Sequence, residues 1–154
     1  MTERTDIPQA AATRRALADS RVIDAINPGV VTCSADAPLT EVADLMAGHR
    51  IHAVIVDRSD QGFAEPLVVS DLDMANGVLG GVEAFSAGEV AGSPTVSVRG
   101  DAPLDEAVNL MREYQTAHLL VVDDDGVPVG VVSTLDVAGL IAAAHRRAAV
   151  GAVR

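Results

Sequence analysis

The chain has few basic and few aromatic residues. Its 154 residues include no lysine and no tryptophan, and only Phe63, Phe85 and Tyr114 are aromatic. The formal net charge is −11, and most of the 11 arginines lie near the two ends of the chain. Nucleic-acid binding needs clustered basic residues, and single strands are usually held by aromatic stacking. A nucleic-acid binder is therefore the least favoured class, with only the terminal arginines in its favour.

Cysteine and long apolar runs are also scarce. Cys33 is the single cysteine, which excludes an internal disulfide and a multi-cysteine metal site, and its small apolar neighbours predict a core residue. No apolar run approaches the roughly 20 residues that cross a bilayer, and residues 1–21 lack the apolar segment of a signal peptide. We therefore predict a cytoplasmic protein with no membrane contact. Its 49% apolar content can supply a core of aliphatic side chains.

Residues that usually perform catalysis do not form a recognisable pattern. The four histidines include no His-x-x-x-His pair, and His49 and His52 lack a third metal ligand. There is no nucleophile elbow and no Gly-x-x-x-x-Gly-Lys phosphate loop. Most carboxylates lie in loops or at helix starts. The sequence therefore predicts no enzyme activity, no catalytic residue, no metal site and no resident cofactor.

The chain contains an internal repeat of about 60 residues. Three pairs of segments correspond: Asp36–Leu39 with Asp101–Leu104, His52–Asp57 with His118–Asp123, and Ser70–Asp73 with Ser133–Asp136. The spacing between the matched segments varies by a few residues, which indicates insertions in the loops. The second match places His52 and His118 at the same position, directly before a strand.

Each copy predicts the element order β-α-β-β-α. Val30–Cys33 and Thr95–Val98 are short β-rich runs, and Pro38 and Pro103 suit the first turn of the helix that follows. Apolar residues recur in these helices at the spacing of one helix face. Two continuous apolar strands come next, which predicts strands covered on both faces. The predicted strand pairs are Ala53–Val56 with Leu67–Val69 and Leu119–Val122 with Val129–Val132, and the final helices are expected to begin near Asp71 and Thr134.

The repeat also predicts the domain limits. The N-terminal segment has no apolar periodicity, so we expect it to be disordered or an extra helix and dispensable for stability. The predicted segments are 1–16 (N-terminal segment), 17–80 (first repeat), 81–86 (linker), 87–146 (second repeat) and 147–154 (tail).

The repeat resembles a tandem pair of CBS domains, which together form a Bateman module. The resemblance is carried by "DAPL" before the first helix of each copy, by "HLLVVDDDGVPVGVVSTLDV" in the second copy, and by Ser-x-x-Asp at each final helix. It covers about residues 22–145. The first copy departs from the pattern, because Pro66–Ser70 lacks a counterpart of Gly130. The resemblance implies an α/β (α+β) fold in which two β-α-β-β-α repeats pack pseudo-symmetrically into one module.

The same resemblance implies a regulatory function. It implies a stand-alone sensor that binds an adenine nucleotide or adenosyl ligand (AMP, ADP, ATP or S-adenosylmethionine) in the cleft between the two repeats. It also implies a homodimer, supported by the apolar helix faces that a monomer would expose, and a regulated protein that the sequence does not identify. The acidic middle of the chain favours AMP or the cationic S-adenosylmethionine over free ATP. The alternative is a ligand-free dimerisation or protein-interaction scaffold with degenerate clefts.

The Ser-x-x-Asp segments have two interpretations. By the resemblance, Asp136 and Asp73 accept hydrogen bonds from the ribose hydroxyls, with Ser133, Thr134 and Ser70 near the phosphate. By local structure alone, each segment is a capping box, in which the serine oxygen accepts from a helix amide and the carboxylate accepts in return. The amides at a helix start also suit an anion. Both interpretations stay open on the sequence.

The other expected ligand residues lie at the starts of strands. The resemblance implies that His52 and His118 lie near the phosphate, whereas local structure requires only that each ring packs and makes one hydrogen bond. Arg50, Arg99 and Arg112 are either phosphate ligands or solvated surface residues. Four residues are expected to contact adenine: Ala53 and Leu119 through their backbone, and Val31 and Val96 as residues that lead strands.

Overall fold

The computed structural model describes residues 8–26, 29–91 and 95–151. Residues 1–7 of the predicted N-terminal segment and 152–154 of the predicted tail lie outside them. In chain order the elements are α1 (Pro8–Asp19), α2 (Val22–Ala25), β1 (Thr32–Ser34), α3 (Leu39–His49), β2 (Ala53–Asp57), β3 (Leu67–Ser70), α4 (Asp71–Gly80), α5 (Ala87–Val90), β4 (Ser97–Arg99), α6 (Leu104–Glu113), β5 (His118–Val122), β6 (Pro128–Ser133) and α7 (Thr134–Gly151). Single 3₁₀ turns occupy Ser59–Gln61 and Val82–Ala84. None of the described helices has the length and apolar content needed to span a membrane.

The described residues group into two compact units, each built on one three-stranded sheet. The first-repeat unit consists of the described residues within 29–96, and its strands run in the order β1–β2–β3. The second-repeat unit consists of those within 1–28 and 97–154, with the order β4–β5–β6. In each sheet the first strand is parallel and the third antiparallel to the middle strand. The predicted order β-α-β-β-α and the mixed α/β fold class are therefore confirmed in both copies.

The first strand of each sheet begins two residues later than predicted. Thr32 pairs with Ile55 in one sheet and Ser97 pairs with Leu120 in the other. Val31, which was expected to begin the strand, contributes only its carbonyl, which accepts the N–H of Ile55 at 3.0 Å. Continuous pairing with the middle strand therefore begins at Thr32 in β1 and at Ser97 in β4.

The helix between the first and middle strands of each sheet, α3 or α6, has its apolar face in the core. Pro38 and Pro103 are extended residues that directly precede α3 and α6, one position before the first turn in which we expected them. Leu39 and Leu104, the first residues of these helices, are fully buried. Cys33 is also buried, and burial raises the pKa of its thiol to about 11. The prediction that Cys33 is a core residue is confirmed. The other fully buried residues are all aliphatic, among them Val42, Val54, Val56, Val69, Leu119, Val121 and Val132.

Each repeat begins with a short helix that the residue pattern does not predict, α2 in the first copy and α5 in the second. We call these the leading helices. Val22 and Ala87, their first residues, are 65 residues apart and both fully buried. Their backbone hydrogen bonds correspond one to one. In α2, Val22 N–H donates to Ala102 O (2.9 Å) and Ile23 N–H to Gly100 O (2.9 Å). In α5, Ala87 N–H donates to Ala37 O (2.8 Å) and Gly88 N–H to Ala35 O (2.9 Å). The leading helix of the first copy thus belongs to the second-repeat unit, and that of the second copy belongs to the first-repeat unit.

The N-terminal helix α1 also belongs to the second-repeat unit, where it contacts α6 and α7. It ends in a chain turn whose Ser20 carbonyl accepts the N–H of Leu104 at 2.8 Å. Among residues 10–19 of α1, no side chain is fully buried. The predicted domain limits and the predicted dispensability of residues 1–16 stay predictions.

Candidate functional site

In the first-repeat unit, the predicted Ser-x-x-Asp segment lies at the junction of β3 and α4. Ser70 ends β3 opposite Ala53, and its hydroxyl oxygen accepts the N–H of Asp73 at 3.2 Å. Asp73 Oδ2 accepts in return from the Ser70 N–H at 2.8 Å and from the Ser70 hydroxyl at 2.7 Å. The capping interpretation is therefore correct here as geometry. The other oxygen of Asp73, Oδ1, makes no hydrogen bond with the described residues.

The second-repeat unit repeats this arrangement where β6 meets α7. Ser133 ends β6 opposite His118. Asp136 Oδ2 accepts from the Ser133 N–H at 2.7 Å and from the Ser133 hydroxyl at 2.9 Å, and the Asp136 N–H lies 3.4 Å from the serine oxygen. Asp136 Oδ1 again has no partner among the described residues. Each candidate ribose carboxylate thus uses one oxygen to hold its helix start and leaves the other unused.

The two histidines do not occupy the same position, so our sequence match was wrong by one residue. Ala53 pairs with Ser70 and His118 pairs with Ser133, which makes His118 the counterpart of Ala53. His52 corresponds instead to Ala117, because their carbonyls accept the first N–H of α4 (2.9 Å) and α7 (3.0 Å), respectively. By the same register, Leu119 is not the counterpart of Ala53. Continuous apolar strands explain the slip, because nothing in an unbroken apolar run marks which residue faces which side.

The corrected register shows a chemical difference between the units. In the first-repeat unit, His52 Nδ1 lies 3.1 Å from Oδ2 of Asp71, and both side chains are about half exposed. The residues at these two positions in the second-repeat unit are Ala117 and Thr134. Thr134 is one of the predicted site residues and Asp71 is not, although the Asp71 carboxylate directly follows the capping Ser70.

Next to Thr134, the second-repeat unit contains a cavity of about 470 Å³. Apolar side chains from the end of α6 and the start of α7 form most of its wall, together with Arg112 and Gln115. The apolar members are Val108, Met111, Ala117 and Val137. Ser133 and Asp136 do not line it. The cavity therefore lies beside the candidate ribose carboxylate rather than around it.

A left-handed residue follows α3 and α6 shortly after each helix ends. Arg50 and Gln115, 65 residues apart, both have a φ of 54°. In each unit the next residue closes the helix, since Ile51 N–H donates to Met46 O and Thr116 N–H to Met111 O, both at 3.0 Å. This position is usually glycine, because a Cβ is disfavoured there. The sequence signal for these helix ends is therefore missing.

The three arginines proposed as phosphate ligands are in different states. Arg99 donates to both Asp101 and Asp124, and the first of these hydrogen bonds holds the pKa of the Asp101 carboxyl below its usual value. Arg99 is therefore already occupied by carboxylates. The guanidinium groups of Arg50 and Arg112 make no ion pair with the described residues.

The remaining predicted site residues fall at strand starts. In the first-repeat unit, His52 and Ala53 at the start of β2 and Ser70 at the end of β3 lie at one end of the sheet, and Val31 precedes β1 at the same end. Val96 directly precedes β4 and falls at the boundary between the two units. The His118 N–H donates to Thr116 Oγ1 at 3.3 Å. Across the ranges that the structure describes, no three His, Cys, Asp or Glu side chains come together as a metal site.

Among curated proteins, the chain is similar to two relatives at low identity. It is 28% identical over 117 residues to Hypoxic response protein 1 of Mycobacterium tuberculosis, covering 75% of this chain and 80% of that protein. It is 27% identical over 112 residues to the protein MK0525 of Methanopyrus kandleri, covering 70% of this chain. The match spans only 56% of MK0525.

Among solved structures, the chain is similar to the CBS domain protein PAE2072 from Pyrobaculum aerophilum, which was solved in complex with AMP. The TM-score is 0.66 at 27% identity, and the match covers 76% of this chain and 89% of that one. The family model for the CBS domain matches residues 22–63 and 87–143, and these two segments begin at the first residues of the leading helices. The chain therefore belongs to the CBS domain family, as a tandem pair.

Proposed function

We propose that this chain is a regulatory sensor that binds an adenine nucleotide or adenosyl ligand through its CBS repeats and does no chemistry of its own. The observation that carries the proposal is Oδ1 of Asp73 and of Asp136, which makes no hydrogen bond with any residue that the structure describes. An ionised carboxylate oxygen is an acceptor only, and it suits the paired hydroxyls of ribose. The AMP complex of the similar Pyrobaculum protein supports the ligand class.

Titration calorimetry with AMP, ATP and S-adenosylmethionine tests the proposal. Asp136→Asn is the sharpest variant, because an asparagine keeps one oxygen to accept from the Ser133 N–H and replaces the other with an NH₂ group. We expect it to bind at least about tenfold more weakly, as for the loss of a charged hydrogen bond, and to melt close to the wild type. Asp73→Asn is the matched variant, and we expect a smaller effect because the first copy departs further from the family pattern.

Two outcomes would contradict this function. One is a wild-type chain that binds none of the three compounds, either by calorimetry or as a ligand-dependent rise in melting temperature. The other is unchanged affinity in both asparagine variants. Asp136→Ala separates capping from binding, since a capping role alone predicts a loss of about 0.5–2 kcal/mol in the free energy of unfolding with little change in affinity.

We propose further that the chain is a cytoplasmic homodimer that signals to a regulated protein. Leu72 and Leu135 are the second residues of α4 and α7, and they are 67% and 63% exposed. Exposed leucines at matched positions favour a surface that a second copy covers. Light scattering should give twice the 15.8 kDa of one chain. A mass of one chain at all micromolar concentrations would exclude the dimer.

The same exposed leucines favour the second hypothesis, a ligand-free scaffold. The two functions differ in one measurement. A scaffold dimerises and binds no adenine compound, whereas a sensor binds the ligand whether or not it is a dimer.

A further inference from the structure

We propose that only the second-repeat unit binds a phosphate-bearing adenine ligand, and that Asp71 prevents the first-repeat unit from doing so. This inference rests on the proposed function and adds which repeat is competent and for which class of ligand. The candidate ribose carboxylates do not distinguish the repeats, because Asp73 and Asp136 each accept from the N–H and the hydroxyl of the equivalent serine at nearly the same distances.

The repeats differ at the residue that follows the capping serine. The backbone is the same in both, because the Asp71 N–H donates to His52 O and the Thr134 N–H to Ala117 O. The side chains are not the same. Asp71 holds a carboxylate against His52 at 3.1 Å, whereas Thr134 offers a neutral hydroxyl next to the methyl group of Ala117. One unit thus presents a negative charge where the other presents none.

The second-repeat unit also has a cavity at these positions. The cavity of about 470 Å³ in the second-repeat unit is lined by Ala117 and Thr134, and its other walls are mainly apolar. At these two positions the first-repeat unit has His52 and Asp71, which are larger and polar. An apolar wall beside an uncharged helix start suits a flat ring that carries an anionic group. The adenine ring and phosphate of a nucleotide have this combination.

The basic residues do not reverse the difference. Arg112 lines the cavity of the second-repeat unit, and its counterpart is Ala47. Arg50 in the first-repeat unit occupies the position of Gln115, which also lines the cavity. Each unit thus has, near the end of α3 or α6, one arginine that makes no ion pair with the described residues, and Asp71 adds a carboxylate that the second-repeat unit lacks at this position. Like charges within a few ångströms repel, so the Asp71 carboxylate disfavours a phosphate at this helix start.

Calorimetry of the full-length chain with AMP and with adenosine tests the inference. We expect one AMP per wild-type chain. Asp71→Asn keeps the size of the side chain and removes its charge, so a second AMP site should appear, with affinity raised at least about tenfold by the loss of repulsion. Adenosine has no phosphate, and its affinity should not change in this variant.

The reverse substitution provides the matched control. Thr134→Asp places the charge of the first repeat into the second, and we expect AMP affinity at the tight site to fall at least about tenfold while adenosine affinity is retained. Aspartate is favourable in the first turn of a helix, so the variant should melt near the wild type. Asp136→Asn should weaken the tight site, and Asp73→Asn should leave it unchanged.

The outcomes separate this inference from the proposed function. Two AMP molecules bound with equal affinity by the wild type, or loss of the tight site in Asp73→Asn, would overturn the inference and leave the sensor function in place. One bound AMP together with an unaltered Asp71→Asn variant would show that Asp71 is not the determinant. A wild type that binds neither AMP nor adenosine would contradict the sensor function itself.

Discussion

At the start of α4 the first-repeat unit carries a histidine–carboxylate pair, whereas the second-repeat unit has an alanine and a threonine at the same two positions at the start of α7. Several other features agree between the units. Leu39 and Leu104 are both fully buried, and Arg50 and Gln115 are both left-handed. The shared features are those that close a β-α-β-β-α unit, and the differing residues are partly exposed at one end of the sheet. The two units therefore keep similar cores while this end of the sheet differs in chemistry.

Truncating the buried leucines should show whether the two cores are equivalent. Leu39→Ala and Leu104→Ala should each lower the free energy of unfolding by about 2–5 kcal/mol, because each deletes a fully buried side chain and leaves a cavity. Urea denaturation measures both. Leu79→Ala, at a position 89% exposed, is the control and should change stability by less than about 0.5 kcal/mol. A cost below about 1 kcal/mol in one repeat alone would show that the two cores differ.

Removing the capping serines should affect both repeats alike. Ser70→Ala and Ser133→Ala each remove the hydroxyl that accepts from a helix amide and donates to the aspartate, while the backbone N–H to that aspartate remains. We expect a loss of about 0.5–2 kcal/mol in the free energy of unfolding from each. Thermal or urea denaturation provides the comparison. Ser97→Ala, on an exposed strand position, is the control. Markedly unequal losses would mean that the matched geometry hides different energetics.

Glycine at the left-handed positions should stabilise both units. Arg50→Gly and Gln115→Gly each remove the steric cost of a Cβ at positive φ, with an expected gain of up to about 1 kcal/mol. The gain should be smaller for Gln115, because its side chain donates to Arg112 O at 3.2 Å. Equilibrium unfolding measures the gain. A net loss in either variant would show that the long side chain contributes more than the backbone strain costs.

The smallest effect should come from the Arg99–Asp101 pair, which the first repeat lacks because Ser34 stands in the place of Arg99. The hydrogen bond from Arg99 lowers the folded-state pKa of the Asp101 carboxyl from its ordinary value of 3.8. Its stabilising effect is therefore present above that value and is lost as the pH falls through the lower folded-state pKa. Arg99→Gln should melt slightly below the wild type at neutral pH, and the two should converge in acid. A difference that persists at the lowest pH would point to lost packing instead.

Much of the fold is predictable because the repeated segments show that the chain contains two copies of one unit. The recurrence of "DAPL" and of Ser-x-x-Asp identifies two copies, and apolar runs identify the strands. The leading helices are not predicted from the repeat, because the two sequences share no residue at matched positions (Val22–Ala25 and Ala87–Val90). What they share is burial of the first side chain and two backbone hydrogen bonds, which many small residues can supply.

The site was less predictable than the fold, for a physical reason. Matching "HAVIVD" with "HLLVVD" aligns the two histidines, but backbone pairing sets the true register. The His52 carbonyl accepts the first N–H of α4, whereas in the second repeat Ala117 has this role and His118 is the next residue. The interaction of His52 with Asp71 joins residues 19 apart in the chain, so no local pattern signals it. Capping boxes are local, and the sequence predicts them well.

The crossed placement of the leading helices affects how this chain could be divided. A cut in the linker would separate each leading helix from its hydrogen-bond partners. Val22 would stay in the first half and its acceptor Ala102 in the second, while Ala87 would stay in the second half and its acceptor Ala37 in the first. Each fragment would expose the groove that its missing helix fills. Co-expressed fragments should then complement one another in trans, and a lone fragment could regain its helix only by trading segments with an identical copy. Deleting one repeat would therefore also remove the leading helix that the remaining unit packs against, so the two copies depend on each other for folding.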